Sequence, residues 1–141
     1  MPDRETGEPG IRETGSEGTE RADGEDETSA AQPEEAGETE EEYQAKLSYF
    51  INRLDDENEG VRWKAAESLG RLGDTAAVQP LIDLLWDDDN RVRMKAAWAL
   101  GKIGDPHALP ALQRLYRMEN ENVREIIERA MIEIKQQMSR G

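Results

Sequence analysis

A 31-residue repeat dominates the second part of the sequence. Three similar segments begin at Asn58, Asp89 and Asn120, and each has a valine three residues later with an arginine directly after it. The step of 31 residues is the same both times and extends to the apolar positions on either side. A fixed period of this size is typical of stacked supersecondary units, and three copies are about the minimum for a continuous core. The sequence therefore predicts a repeat architecture.

Each repeat contains two amphipathic helical patterns. Apolar residues recur at i, i+3, i+4 and i+7 in the first half, and the second half carries one apolar stripe at helical spacing. The first copy shows both patterns, in Leu47, Phe50, Ile51 and Leu54 and then in Val61, Ala65, Leu69 and Leu72. No stretch alternates with a period of two, so the sequence predicts an all-α domain without strands.

Polar residues and glycines mark the expected ends of the second helices. Asn58, Asp89 and Asn120 each stand where an N-cap acceptor belongs, three residues before the recurring valine. Gly73 and Gly104 suit the left-handed position that ends a helix. These positions predict helix boundaries that repeat with the same period as the apolar pattern.

Two further glycines and two prolines fall inside the helical patterns. Gly70 and Gly101 lie within the second helices, where they predict close approach of a neighbouring helix or represent a tolerated defect. Pro80 and Pro110 lie in the first helices and are expected to kink them or to restart them.

Composition separates the first 42 residues from the rest. They hold 16 of the 32 acidic residues against three arginines, in a chain whose formal net charge is −14. Almost no core-forming residues are present there, so this stretch cannot offset its ordering entropy. The sequence predicts a disordered acidic tail over 1–42 and a repeat domain over 43–141, with repeats at about 43–73, 74–104 and 105–138. Thr39 and Glu42 have capping-box spacing, which places the start of the fold near residue 40.

The repeat pattern resembles that of a known family. Asp/Asn-x-x-Val-Arg-x-x-Ala-Ala-x-x-Leu-Gly-x-Leu/Ile-Gly-Asp, followed by Ala/Val-x-Pro-Leu-Ile, resembles HEAT repeats, and most of all the HEAT-like subclass of the phycobilisome lyases. It is also similar to designed helical repeat proteins built on a 31-residue unit. The resemblance covers residues from about 43 to 138. It implies an α-solenoid, or α-α superhelix, of three stacked HEAT-like helix pairs with a concave face lined by the second helices.

The third repeat departs from this pattern. It has Ile132 and Lys135 at the positions of the two glycines, and it lacks the final Gly-Asp. Such a unit resembles a terminal cap, which needs no docking surface for another repeat.

The residue types exclude several classes of chemistry. Without cysteine there is no disulfide scaffold and no Cys-ligated metal site, and His107 is the one histidine. We interpret His107 as an exposed or capping residue. Some HEAT-like hydroxylases bind iron through several His-Glu pairs, which this sequence does not contain. The sequence therefore predicts no catalytic site, no cofactor and no metal.

Because no apolar run approaches ~18 residues and no secretory segment follows Met1, we expect a soluble, cytoplasmic protein.

One face of the second helices carries large apolar and charged side chains away from the core stripe. On a helical wheel, Trp63 lies almost opposite the stripe, and the following repeat has Met94 and Trp98 on the same side. Large apolar side chains off the core face indicate an interface. The predicted partner-binding residues are Trp63, Lys64, Glu67, Arg71, Met94, Lys95, Trp98, Lys102 and Arg129.

Structural roles remain open for some of these residues and are favoured for others. Trp63 could cover the first helix, and Trp98 could bridge two repeats with lysine stems packed on it. Trp86 follows Leu85 at the end of a first helix and is interpreted as structural, beside the core stripe. The row formed by Arg62, Arg93 and Arg124 is interpreted as a ladder of pairs with neighbouring Asp or Asn side chains.

The favoured function is a non-enzymatic adaptor for protein–protein interaction. A partner segment would insert into the concave face and be anchored on Trp63, Met94 and Trp98, and the flanking Lys and Arg side chains favour an acidic segment. The acidic tail is a second candidate ligand within the same chain, and no membrane is expected as a partner. One alternative is nucleic-acid binding through the same basic and aromatic face, although the acidic tail would repel phosphate. Another is an accessory subunit of a lyase or hydroxylase.

Overall fold

The computed structural model describes residues 37–140. The chain divides into two units at Tyr43 and Gln44, and this division falls within the first helix. Residues 1–36 of the predicted acidic tail lie outside the described residues. The disorder of the tail and the domain boundary at residue 42 therefore stay predictions.

Residues 37–140 form α-helices joined by short turns, with no strand in this range. The helices are α1 (Glu40–Arg53), α2 (Glu59–Leu72), α3 (Val78–Leu84), α4 (Asn90–Ile103), α5 (Leu109–Met118) and α6 (Glu121–Arg140). Two 3₁₀ turns, Thr75–Ala77 and Pro106–Ala108, precede α3 and α5. The prediction of an all-α fold built from helix pairs is confirmed.

The predicted caps begin the helices. The side chains of Asn58 and Asp89 accept hydrogen bonds from two backbone N–H groups of the first turn, the shorter ones at 2.7 and 2.8 Å. Asn120 accepts one such bond at 3.2 Å. At the start of α1, the Thr39 N–H donates to the Glu42 carboxylate at 3.1 Å, and the Glu42 N–H donates to the Thr39 hydroxyl at 3.0 Å. Each cap satisfies N–H groups that the helix itself leaves without an acceptor.

The glycines and prolines of the helical patterns also lie where helices end or begin. Gly73 and Gly104 end α2 and α4 with φ of 71° and 81°, in the left-handed region that glycine enters without steric cost. Pro80 and Pro110 lie in the first turns of α3 and α5, where a proline has no hydrogen bond to break. Each proline therefore lies just after the start of a new helix, which itself follows a 3₁₀ turn. Neither proline kinks a continuous helix.

The second helices form the spine of the repeat stack. Helix α4 packs against α2 on one side and α6 on the other, while α3 packs on α4 and α5 packs on α6. The predicted stripes supply the core, and no polar or charged residue is buried among the described residues. The largest fully buried side chains are Leu69, Leu81, Leu85, Leu100, Leu112, Leu115, Ile127, Ile134, Val92 and Val123. Burial of their apolar surface is the main favourable contribution to folding.

Glycine allows the second helices to approach closely. A Cβ atom added to Gly70 would lie 2.9 Å from the Cα of Ala99, and one added to Gly101 would lie 2.9 Å from the Cα of Ala130. Two carbon atoms at 2.9 Å overlap sterically. Both positions therefore need glycine, which has a hydrogen atom in place of a side chain. The predicted close approach is confirmed. At the third copy of this position Ile132 is 50% exposed, since no helix lies beyond α6 in residues 37–140.

Trp86 is more exposed than its interpretation as a structural residue beside the core stripe implied. Helix α3 ends at Leu84, so the helical spacing that put Trp86 beside the core stripe no longer applies at residue 86. Leu85 is fully buried, whereas Trp86 turns outward and is 40% exposed. Its indole is therefore an exposed aromatic surface.

The recurring arginines form the predicted ladder only in part, since Arg62 alone pairs with an Asp or Asn side chain. Arg62 holds Asp87 with two hydrogen bonds of 2.8 and 3.1 Å, and this pairing raises the pKa of the guanidinium. Arg93 pairs with Glu119, with its Nε 2.7 Å from the carboxylate, where an Asp or Asn was expected. Arg124 donates to the backbone carbonyl of Tyr116 at 2.9 Å. The ladder joins one repeat to the next at two of its three members.

Two capping aspartates make the stability of the fold depend on pH in a predictable direction. A hydrogen bond from the Arg91 side chain lowers the pKa of Asp89, and one from the His107 backbone N–H lowers the pKa of Asp105, both from 3.8. A lowered pKa means that the ionised carboxyl stabilises the fold above the unfolded pKa. This contribution is lost as the pH falls through the lower folded pKa. We therefore expect stability to decline below about pH 4.

The double variant Asp89→Asn, Asp105→Asn tests this dependence. Asparagine keeps a cap acceptor but does not titrate, so the variant should lose less thermal stability than wild type between about pH 5 and pH 3. The melting temperatures of both proteins, followed by circular dichroism across this range, give the comparison. Parallel pH profiles would show that these two carboxyls do not contribute.

Candidate protein-binding face

The second helices bring the predicted anchors Trp63, Met94 and Trp98 to one cleft. This cleft has a volume of about 200 Å³ and also includes Lys95 and Ile126. The three anchors come from the second helices of the first two repeats, Trp63 from α2 and the other two from α4. All three are half-buried. We call this site the indole cleft.

Lys95 lies between the two indole rings of the cleft. Its Nζ is 4.6 Å from the ring centroid of Trp63 and 4.7 Å from that of Trp98. The same ammonium group is 3.5 Å from the Glu67 carboxylate. A cation over an aromatic face gains electrostatic stabilisation, and here one cation serves two rings. One ammonium group therefore contacts both indoles of the cleft.

Trp63 also lines a second cleft on the side of the helix N-termini. This neighbouring space has a volume of about 280 Å³ and includes Lys64, Asp89 and Arg91. Trp63 and Arg91 line both clefts. The two spaces therefore adjoin along the second helices, and Trp63 forms a wall of each.

Trp98 also takes part in the packing between repeats. A Cβ added to Gly70 would lie 2.7 Å from Cζ3 of Trp98, so the indole lies directly over the glycine backbone. One part of the ring thus fills the contact between α2 and α4, and another part lines the indole cleft. The structural role and the cleft-lining role coexist in this residue.

The cations predicted on this face are paired with glutamates. Arg71 is 3.2 Å from Glu67, which Lys95 also contacts, and the Lys102 ammonium lies 3.4 Å from Glu133. Arg129 lies 3.7 Å from Glu125 on α6. Much of the positive charge expected to attract an acidic partner is therefore balanced within the chain.

The predicted site residues divide into two groups by location. Trp63, Met94, Lys95 and Trp98 meet at the indole cleft, and Lys64 lines the adjoining space. The remaining residues do not line either cleft: Glu67, Arg71, Lys102 and Arg129. Glu67 still acts on the cleft through its contact with Lys95.

Two cleft residues were missed from the sequence. Ile126 stands at the repeat position that holds lysine in the other two copies, and this apolar replacement in a charged row was a usable signal. Arg91 shares its repeat position with Gly60 and Asn122, so periodicity gave no indication of its role. Its side chain reaches the clefts while its guanidinium lies 3.3 Å from the Asp89 carboxylate.

Other kinds of site receive little support from residues 37–140. His107 is exposed as predicted, and its Nδ1 lies 2.7 Å from the Asp105 carboxylate that caps the turn. No group of three or more His, Asp or Glu side chains in this range is placed to hold a metal ion. None of the helices in this range is both long and apolar enough to cross a membrane.

Two of the solved structures that are similar to this chain are both larger than the part that they match. Human deoxyhypusine hydroxylase in complex with glycerol has 28% identity and a TM-score of 0.61 over 67% of the chain. A designed armadillo repeat protein in complex with the peptide (KR)4 has 25% identity and a TM-score of 0.57 over 65% of the chain. The matches span 34% of the hydroxylase chain and 48% of the designed chain. No curated protein matches the sequence at a significant level.

The family profile described as HEAT repeats matches residues 47–132, which is more than half of the chain. This range begins inside α1 and ends inside α6, so it includes at least part of each of the three helix pairs. The finer resemblance to the phycobilisome-lyase subclass stays a prediction. From the repeat period, the stacked helix pairs and this match, the chain belongs to the HEAT-repeat family.

Proposed function

We propose that this protein is a non-enzymatic binding module that holds a segment of another protein against its second helices. The observation that carries the proposal is the indole cleft, where Trp63, Met94 and Trp98 meet although they come from different repeats. HEAT and armadillo repeats generally mediate protein–protein interactions, and the similar designed armadillo protein is in complex with a peptide. On this proposal the second helices form the concave face of the stack.

The chemistry of the cleft favours an apolar anchor on the partner. Two indoles, a thioether and the side chain of Ile126 supply polarisable and apolar contact surface. Such half-buried aromatic clusters are the places where interface energy concentrates. The Lys95 stack keeps both rings in position before binding, so little conformational entropy is lost on association.

Charge has a smaller part in partner choice than the sequence suggested. Most cations of this face already contact Glu67, Glu125 or Glu133. Lys64 has no ion pair among the described residues and borders the cleft next to Trp63, so a single partner carboxylate would fit there. The same glutamates oppose nucleic-acid binding, because they would lie close to phosphate groups.

A peptide-display selection tests this proposal with a defined set of ligands. Random twelve-residue peptides are selected on the immobilised full chain, and the enriched peptides are then titrated by fluorescence anisotropy. We expect binding to weaken at least tenfold in Met94→Glu, because the substitution places a charge at the apolar cleft. Trp63→Ala should weaken binding by a similar factor, since a tenfold change needs only about 1.4 kcal/mol.

Met118→Glu is the matched control, because it makes the same replacement at a methionine on α5 that is 69% exposed and outside the clefts. Binding should be unchanged in this variant. The proposal fails if no peptide is enriched, or if enriched peptides bind Met94→Glu as tightly as wild type. Circular dichroism of each variant separates loss of binding from loss of folding.

A further inference from the structure

A separate groove lies outside both clefts described above. It forms where the ends of α1 and α3 meet the loops leading into α2 and α4. Its volume is about 650 Å³. Pro80 from α3, together with Ile51 and Leu54 from the first helix pair, contributes apolar surface. We call this site the acidic groove because of the charges described next.

Carboxylates dominate the lining of this groove. Six aspartate and glutamate residues face a single guanidinium, that of Arg62. Arg62 is fully engaged, since it bonds both carboxylate oxygens of Asp87 and the backbone carbonyls of Asp56 and Glu57. Within the groove Arg62 neutralises only Asp87, so the lining keeps a net negative charge.

Four of these carboxylates, those of Asp55, Glu57, Asp83 and Asp88, have no cation partner among the described residues. Asp83 accepts only an amide hydrogen bond from Gln79 at 3.1 Å, and Asp55 and Asp88 are exposed in the loops. The acidic side chains are spread along the groove, and none of them belongs to a group that could hold a metal ion. A distributed set of charges suits an extended ligand with several cationic groups better than one ion.

Trp86 adds an aromatic wall to the acidic groove. Its indole is 40% exposed, and it lines the groove together with the carboxylates. The Arg114 guanidinium already lies 5.4 Å from its ring centroid, so the ring accepts a cation in this environment. An exposed tryptophan beside unpaired carboxylates combines the two surfaces that a guanidinium recognises.

We propose that the acidic groove binds an arginine-containing segment of another protein. The guanidinium groups of the segment stack on Trp86 and pair with Asp83 and Asp88, while its backbone follows the groove. Arginine fits better than lysine, because its planar fork bonds carboxylates in pairs and stacks on an aromatic face. The site is separate from the indole cleft, so the proposal does not depend on the function assigned to that cleft.

Titration of the full chain with a fluorescein-labelled heptapeptide of alternating alanine and arginine tests the proposal. Its lysine and glutamate counterparts are the comparison peptides, at low and at physiological salt. We expect the arginine peptide to bind at least threefold more tightly than the lysine peptide, and the glutamate peptide not to bind. Trp86→Ala should weaken arginine-peptide binding at least fivefold.

Matched charge variants distinguish peptide binding at the groove from general attraction to a negatively charged chain. Asp83→Asn, Asp88→Asn should weaken binding at least tenfold, whereas Glu125→Gln, Glu128→Gln, which changes net charge equally on α6, should stay within twofold. Equal weakening in both double variants, or unchanged binding in Trp86→Ala, would overturn the proposal.

The three indole N–H signals of the ¹⁵N-labelled protein locate the bound peptide directly. The signal of Trp86, assigned from Trp86→Ala, should shift on titration while those of Trp63 and Trp98 stay in place. Shifts confined to Trp63 and Trp98 would place the peptide at the indole cleft and would also overturn the proposal.

Discussion

Replacing Leu100 with alanine is expected to lower the free energy of unfolding by about 2–5 kcal/mol. Leu100 is fully buried in α4, the middle second helix, which packs against α2, α3 and α6. The cost combines the lost transfer free energy of the removed atoms with the cavity that they leave. Neighbouring helices on several sides hold that cavity open, because they cannot all move inward together.

Leu47→Ala is the comparison, since it makes the same replacement in α1, at the first helix pair of the described residues. Leu47 is also buried, but among residues 37–140 no helix pair precedes its own. We expect its cost near the lower limit, about 2 kcal/mol, because α1 can shift toward the space that is left. Urea unfolding followed by circular dichroism gives both values. Equal costs at the two positions would argue against linear stacking of the repeats.

Gly101→Ala is expected to destabilise the protein by about 1–3 kcal/mol, although alanine is the better helix former. The added methyl would lie 2.9 Å from the Cα of Ala130 and 2.8 Å from a carboxylate oxygen of Glu133. The glutamate side chain can rotate away, but the backbone of α6 cannot move without separating the two helices. The gain in helix propensity, about 1 kcal/mol, offsets only part of that cost.

The same repeat position offers a control on the exposed side of α6. Ile132→Ala changes the residue at the third copy of the glycine position, where no helix packs among the described residues. We expect a change within about 0.5 kcal/mol, as for most surface substitutions. Chemical denaturation of both variants at the same pH measures the difference. If Gly101→Ala proved as stable as wild type, α4 and α6 could not be in the close contact described above.

The predictions that succeeded depend on local chemistry or on exact repetition. N-caps at Asn58 and Asp89 and left-handed ends at Gly73 and Gly104 follow from the conformations that these residues prefer in any chain. The 31-residue step then predicts that the helices recur in pairs. Gly70 and Gly101 were informative because of repetition. Glycine lowers helix stability, so a glycine that recurs at one repeat position indicates a close contact that recurs there.

The binding face was predicted only in part, because a helical wheel treats each helix as if it were alone. The wheel put Trp63 and Trp98 away from their own core, which is consistent with the cleft that they line. It could not include the adjacent second helix, which places Lys95 between the two rings. The predicted positive charge was balanced for the same reason, since Lys102 meets Glu133 one full repeat away.

The amino-acid sequence by itself determined the helix pairs, their boundaries, the core stripes and the period, because each depends on side chains a few residues apart or on a fixed step. Tertiary structure alone decided which charges are paired, which tryptophans share a cleft and where α3 stops short of Trp86. The charge pairs between repeats, for example, depend on distances between residues that are 25–31 positions apart in the chain. Such distances are set by how closely the second helices stack, and glycine at two positions sets that closeness.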